Sequence, residues 1–263
     1  MNDPELTLPF FDDHLHLPSP DQDGLDRLRA HAEAHPEMIG ANLILNTREE
    51  LGFVDTHLDA LPPALQPVPF YPIDDDLPDW ARRSGWYKIH PVLARLTADR
   101  IPPLGERLLT HDPPVAGLIV HCYPWGTSLD YEISLPLIIA LARALPETPI
   151  IATHAGGYQS WAFRAHTASL PNVLYDFAVT MSYYKDSDAL KPFTVYLQTR
   201  PRRLLFGSDW PSADPRPQLA ESVRLARAVG VAPGALAAIL LDNAARLWPG
   251  FVRPRAVPHM FNA

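Results

Sequence analysis

Five residues of this chain carry side chains that bind divalent metals, and each closes a short apolar run. They are His14 and His16 in FFDDHLHLP, His121 in GLIVHCYP, His154 in PIIATHAGG and Asp209 in RLLFGSDWP. Imidazole nitrogens and carboxylate oxygens are the common ligands of zinc, manganese and iron. Each run is rich in Val, Ile, Leu, Phe or Tyr and stops at Gly, Pro or an abrupt polar turn, as a strand does. A histidine that only fills a core has no reason to recur at strand ends. A metal site has one, because the C-terminal mouth of a closed barrel gathers side chains from several strands around one point.

His14 and His16 are two residues apart on a strand, so both imidazoles face the same side, which in a barrel is the interior. Zinc–imidazole bonds are about 2.0–2.1 Å long, so such ligands must converge tightly. Asp12 shares their parity and is expected to orient a ligand imidazole, whereas Asp13 is expected to face away from the barrel axis. After His154 come Ala155, Gly156 and Gly157, a turn that lets the backbone leave the strand sharply. Asp209 follows Gly207-Ser208, and a carboxylate there must be paired, bound to metal or exposed. Taken singly, each residue also has a plain reading as a satisfied core or loop side chain. Their order and spacing together point to metal chemistry.

The elements that must position these residues alternate. Strand candidates are 10–16, 38–45, 67–73, 86–90, 117–122, 149–154, 172–179 and 203–209. Amphipathic helical segments lie at 22–34, 48–60, 98–110, 130–145, 158–169, 187–199 and 215–229, and a closing helix, ALAAILLDNAARLW, runs up to Pro249. Strands alternating with helices form a parallel sheet covered on both faces. No Gly-x-Gly-x-x-Gly turn follows the first strand, so a dinucleotide-binding sheet has no support. The expected architecture is a (β/α)8 TIM barrel, one domain over 1–263, for which 263 residues is a typical length.

Bulk properties narrow the function. A net charge of −8 argues against binding a phosphate backbone. Cys122 is the sole cysteine, so no intrachain disulfide forms and a reducing compartment suits the chain. The start, MNDPELTLPFF, has no basic, apolar signal-peptide pattern, and no apolar stretch approaches the ~20 residues that span a bilayer. A cytoplasmic protein with a small-molecule substrate is expected, with a homo-oligomer left open.

FDDHLH, KIHP, THAGG, NVLYDF, LLFGSDWP and DNAARLW together resemble the amidohydrolase superfamily in its amidohydrolase-2 branch, TIM-barrel metal-dependent hydrolases. The resemblance runs over roughly 10–248, and D-x-H-x-H and G-S-D-W-P are its most specific parts. It implies that His14 and His16 are strand-one ligands, Asp209 the strand-eight aspartate, and His121 and His154 the histidines of strands five and six. It also places Lys88 on strand four, where some relatives carry a carboxylated lysine that bridges two metals; one metal is usual in this branch. Lys88 is one of only three lysines, and a charge pair with a barrel carboxylate accounts for it equally well. His90 shares its parity and lines the same pocket or precedes the Pro91 turn.

The chemistry expected is hydrolysis of a small ester, lactone or amide by metal-activated water. The cofactor expected is one divalent ion, zinc first and manganese or iron next, held by His14, His16, Asp209 and His121. Asp209 is the expected proton carrier. His154 is expected either to ligate the ion or to steer water and stabilise an oxyanion, and Asp176 to support a ligand from behind. Substrate contacts are expected from Lys88, His90, Tyr123, Trp125, Tyr158 and Arg164, since aromatics suit a ring and arginine suits a carboxylate. Two alternatives are a non-oxidative decarboxylase of an aromatic or unsaturated acid on the same ligand set, and a barrel that binds metal or ligand without turnover.

Overall fold

Burial of β-branched and aromatic runs on both faces drives the fold. The computed structural model describes residues 8–71, 77–123 and 133–248. Eight parallel strands alternate with helices: β1 (Phe10–His16), α1 (Gln22–Ala34), β2 (Met38–Ile44), α2 (Arg48–His57), β3 (Leu65–Val68), α3 (Asp79–Ser84), β4 (Trp86–Ile89), α4 (Ile101–Leu109), β5 (Gly117–Val120), α5 (Ser134–Ala144), β6 (Ile150–Ala152), α6 (Ser160–His166), β7 (Val173–Asp176), α7 (Thr180–Tyr183), α8 (Lys191–Thr199), β8 (Leu204–Leu205), α9 (Pro215–Ala228), α10 (Pro233–Ala237) and α11 (Asn243–Leu247). The chain is an α/β TIM barrel. Helix starts follow local chemistry: Asp21 accepts from the Gly24 N–H ahead of α1, and Thr47 and Glu50 form a reciprocal capping box ahead of α2.

Regular pairing gives a three-stranded sheet, β1-β2-β3, and a five-stranded sheet, β4-β5-β6-β7-β8. Two irregular seams close them into a ring. At the first, the Lys88 N–H donates to Pro69 O (2.8 Å) and Lys88 O accepts from the Tyr71 N–H (2.7 Å). At the second, Asp13 N–H donates to Phe206 O (2.8 Å), Asp209 N–H to His14 O (2.7 Å) and His16 N–H to Trp210 O (2.7 Å). Both seams fall on residues singled out for chemistry.

The expected and observed elements agree in order, and β1 and α1 agree to the residue. Differences have local causes. The strand expected at 203–209 pairs regularly only at Leu204–Leu205, because Phe206 to Trp210 leave β7 and pair with the bulged β1 instead. The strand expected at 67–73 lies at Leu65–Val68, and α3, unanticipated, is a short helix closed by Gly85 in the left-handed region (φ 68°). The closing segment is two α-turns around a π-helical stretch, Ala238–Asp242.

A bulge in β1 corrects the expected parity. Asp12 pairs with Ala41 and Leu15 with Leu43, so β1 holds one extra residue between them. An inserted residue resets the in–out alternation. Asp13 is therefore not on the outer face. It is fully buried, its carboxylate accepts from Asn42 Nδ2 (2.9 Å), and it lies in the fields of Asp176 and Lys88.

At the opposite end from the mouth, Trp248 lies across the barrel. Its ring stacks on Phe11 at the start of β1 (5.2 Å, 17°) and lies tilted against Trp86 at the start of β4 (4.7 Å, 35°). Asn243 Nδ2 ties the closing helix to the sheet through Pro201 O (2.8 Å) and Leu204 O (2.6 Å). Gly117 makes room for this stack, since a Cβ there would sit 2.4 Å from the Trp86 ring. Gly117→Ala should overpack the clamped ring and cost about 1–3 kcal/mol. Urea unfolding should show the lower midpoint with an unchanged slope.

Candidate metal centre

Three strand-end imidazoles share one feature that prepares them to be ligands. His14 Nδ1–H donates to Asp176 Oδ2 (3.0 Å), His16 Nδ1–H to Ile44 O (3.0 Å) and His154 Nδ1–H to Ala178 O (2.9 Å). An acceptor at Nδ1 fixes the tautomer and leaves the Nε2 lone pair free. The Nε2 atoms of His14 and His16 are 3.1 Å apart, and Asp209 Oδ1 is 3.5 Å from the first and 3.3 Å from the second. One ligand atom from each of His14, His154 and Asp209 lies within 4.8 Å of the others. Lone pairs directed at one another at such distances repel unless a cation or proton lies between them.

Protonation states agree with a cation. Burial, and then the Lys88 charge, hold His14 well below the usual histidine range, so its ring is neutral. Burial works to raise Asp209, but its contact with His16 and its place beside His154 and His14 outweigh that and hold the carboxylate well below its ordinary range. Neutral imidazole and ionised carboxylate are the forms that bind metal. The donor set fits a divalent metal ion. His14 and His154 are buried and Asp209 nearly so, while the His16 side chain keeps 16% exposure and faces the mouth.

The local backbone is bent to bring these atoms together. His154 (φ 54°), Ala155 (φ 48°), Val179 (φ 53°) and Asp209 (φ 65°) are non-glycine residues in the left-handed region, at the ends of β6, β7 and β8. Such residues cost about 1–3 kcal/mol each and persist where surrounding bonds over-determine them. Asp176 supplies those bonds. Its Oδ1 accepts from the N–H of His154 (2.8 Å) and of Ala178 (3.0 Å), while its Oδ2 holds the His14 ring. Asp12, expected to hold an imidazole, instead accepts from the backbone N–H of Ser208 (2.8 Å) and of His14 (3.2 Å), and so pins β8 to the bulge.

The His121 ring stacks on His90 (4.0 Å, 11°), stands edge-on to His154 (5.2 Å) and is flanked by Tyr123 (4.7 Å). Its nitrogens carry no tether of the kind that orients the other three among the described residues. Tyr123 Oη accepts from the Val92 N–H (3.1 Å). Lys88 is fully buried, its Nζ has no hydrogen-bond partner among the described residues, and burial draws its pKa down to about 8 against the opposing fields of Asp176 and Asp209. Tyr158 is 61% exposed, and the Arg164 guanidinium lies over Trp161 (5.9 Å). Trp125 lies outside the described residues. Sequence reasoning missed Asn42 and the inward role of Asp13; a doubled aspartate before His-x-His was the available signal, but only a bulge brings the second one inside.

Asp176→Asn keeps the volume but removes the charge that fixes the His14 tautomer, and one face of the amide is a donor. Loss of such a partner typically costs 10–100-fold in metal affinity. Competition against a chelator of known affinity should show a drop of that size with the fold retained; an unchanged affinity would remove Asp176 from the centre.

The family model for amidohydrolases matches residues 18–250, beginning just after the histidine pair. A search of curated proteins gives no match. Among solved structures, an Agrobacterium tumefaciens protein in apo form is similar at 15% identity and TM-score 0.65, covering 94% of this chain and 97% of that one. An amidohydrolase from Burkholderia multivorans with bound zinc is similar at 17% and 0.59, covering 91% and 98%. The 2,6-dihydroxybenzoate decarboxylase from Rhizobium is similar at 15% and 0.53, covering 91% and 98%. At these identities the structural likeness speaks for the fold, and the family match covers most of the chain. With its barrel, its strand-end donor set and that match, the chain belongs to the amidohydrolase family and is an enzyme of the amidohydrolase-related class.

Proposed function

We propose that this enzyme hydrolyses a small ester, lactone or amide with one divalent metal ion, zinc first and manganese or iron as alternatives. The observation that carries the reading is the convergence of three imidazoles, each tethered at Nδ1, on the ionised carboxylate of Asp209. His14, His16 and Asp209 would hold the ion. His154, whose ligand atom lies in one group with those of His14 and Asp209, would join them, as His121 would if its ring turned toward the ion. The zinc of the structurally similar Burkholderia multivorans amidohydrolase supports zinc as the first choice. Such an ion supplies Lewis acidity, which makes water a nucleophile near neutral pH and polarises a carbonyl oxygen.

The chain's own groups do the rest. Asp209 Oδ1 is turned to His14 and His16, which leaves Oδ2 to take the proton of the attacking water and return it to the leaving group. His121 and His90, stacked beside His154, form the wall against which the substrate lies. Just beyond His90, an apolar recess of about 450 Å³, lined by Pro91, Val92, Leu96 and Ile133 with Arg95 at its edge, gives room for a substrate tail. Exposed Tyr158, Trp161 and Tyr183, on the segments after β6 and β7, offer flat apolar surfaces. A small-molecule substrate suits this arrangement, and the described residues contain no helix long and apolar enough to cross a membrane.

Two variants test the assignment. His14→Ala combined with His16→Ala should abolish stoichiometric metal in elemental analysis; full metal content would overturn the ligand assignment. Asp209→Asn keeps the shape but not the base, and general-base catalysis contributes about 10²–10⁴-fold. Turnover of lactones, esters or amides should fall by that much or more in the folded variant. A wild-type rate in metal-replete protein would transfer the proton to another group. Carbon dioxide release from aromatic acids in the same screen, without hydrolysis, would replace hydrolysis by decarboxylation.

A further inference from the structure

A second recess, of about 510 Å³, lies at the entry to β8 rather than at the mouth. Its walls are Ala168, Thr199, Pro201 and three arginines, Arg200, Arg202 and Arg203. The turn Pro201–Arg203 carries Arg202 and Arg203, and Arg200 directly precedes it. The Arg203 N–H donates to Arg200 O (2.9 Å), and Asn243 grips Pro201 O (2.8 Å), so the turn is held on both sides. A fourth guanidinium is close by, since Arg246 Nη2 donates to Arg202 O (3.1 Å).

These four cations have no carboxylate within ion-pair distance among the described residues. Arg29, Arg82, Arg216 and Arg224, by contrast, each pair with an Asp or Glu. Arg203 spends its Nη1 on Leu170 O (3.0 Å) and Arg246 one Nη2 contact on Asn243 Oδ1 (2.6 Å), both neutral acceptors. Arg200 Nη1 is buried and has no hydrogen-bond partner among the described residues. Like charges crowded at a recess, in a chain of net charge −8, are destabilising unless an anion neutralises them. A buried, unbonded N–H of a guanidinium adds its own desolvation cost. An oxyanion would remove both costs at once, because guanidinium groups bond planar or tetrahedral oxyanions in pairs.

We infer that the Arg200–Arg202–Arg203 recess binds a phosphate group, free or carried by a small phosphorylated molecule, at a site separate from the metal centre. Arg200 and Arg202 supply the contacts; Arg203 and Arg246, held by backbone and Asn243 oxygens, shape the field. Nothing in this site depends on what the metal centre turns over.

The test uses the metal-loaded protein and inorganic phosphate, followed by 31P line broadening and by the rise in Tm that ligand binding to the native state produces. Wild type should show saturable binding. The double variant Arg200→Gln, Arg202→Gln should weaken it at least tenfold, and Arg200→Lys, Arg202→Lys should restore only part, since lysine keeps charge without the fork. The His14→Ala, His16→Ala variant should bind phosphate as wild type does; loss of binding there would place the anion at the metal centre and overturn the inference. Equal affinity of wild type and the glutamine variant would overturn it as well. A second arm replaces phosphate with the tricarboxylate tricarballylate. Tighter binding of the carboxylate than of phosphate, lost in the glutamine variant, would overturn the phosphate assignment in favour of a polycarboxylate.

Discussion

One carboxylate joins two parts of the centre that are far apart in the chain. Asp176, at the end of β7, holds the ring of His14 from β1 with one oxygen and the backbone of His154 from β6 with the other. The first bond decides which nitrogen of His14 is free. The second holds His154 in a left-handed conformation that a non-glycine residue reaches only at a cost. Ring orientation on one strand and chain direction on another thus depend on one group. Because Asp176 is fully buried, water cannot substitute for either partner.

Charge beneath the mouth is arranged around the same group. Asp12, Asp13, Asp176 and Lys88 are all fully buried. Burial, and secondarily neighbouring carboxylates, push Asp12 up to about 7 and Asp13 well above its ordinary value. Lys88 is the buried lysine facing them among the described residues, and burial moves it down to about 8. Two of the acids also do structural work at the seam, Asp12 on the Ser208 N–H and Asp13 on Asn42. The barrel closes where it is most highly charged, and the bulge in β1 makes that possible by turning Asp13 inward one step before the histidine pair.

Much of this was legible in the residue order. Strand-end positions of His14, His16, His154 and Asp209 followed from apolar runs of fixed length, because a parallel strand buried on both faces must be apolar until it ends. Asp176, inside the strand expected at 172–179, was open as a supporting group from its place there, and its carboxylate holds the His14 ring. The role of Asp12 was not, since a period-two rule assumes an unbroken ladder and the extra residue in β1 has no mark in the sequence. His121 is a related case. Its strand end brings it beside His154, but whether a ring turns to the metal or to a neighbour depends on what waits at Nδ1, and that partner is a backbone carbonyl for His16 and His154. Carbonyl positions are properties of the closed barrel and cannot be assigned from residue types. The sharp turn read from Ala155-Gly156-Gly157 starts one residue earlier, at His154 itself.

Trp248 has a consequence for traffic through the molecule. By lying against Phe11 and Trp86 it joins β1 to β4, strands on distant parts of the ring, and stops the far end of the barrel with three aromatic rings. The described end of the barrel away from the metal centre is thus filled with side chains, and the donor that keeps the most exposure, His16, lies at the other end. A substrate arriving at Asp209 and a product leaving it would meet at His16, and a product slow to leave would stand in the way of the next substrate.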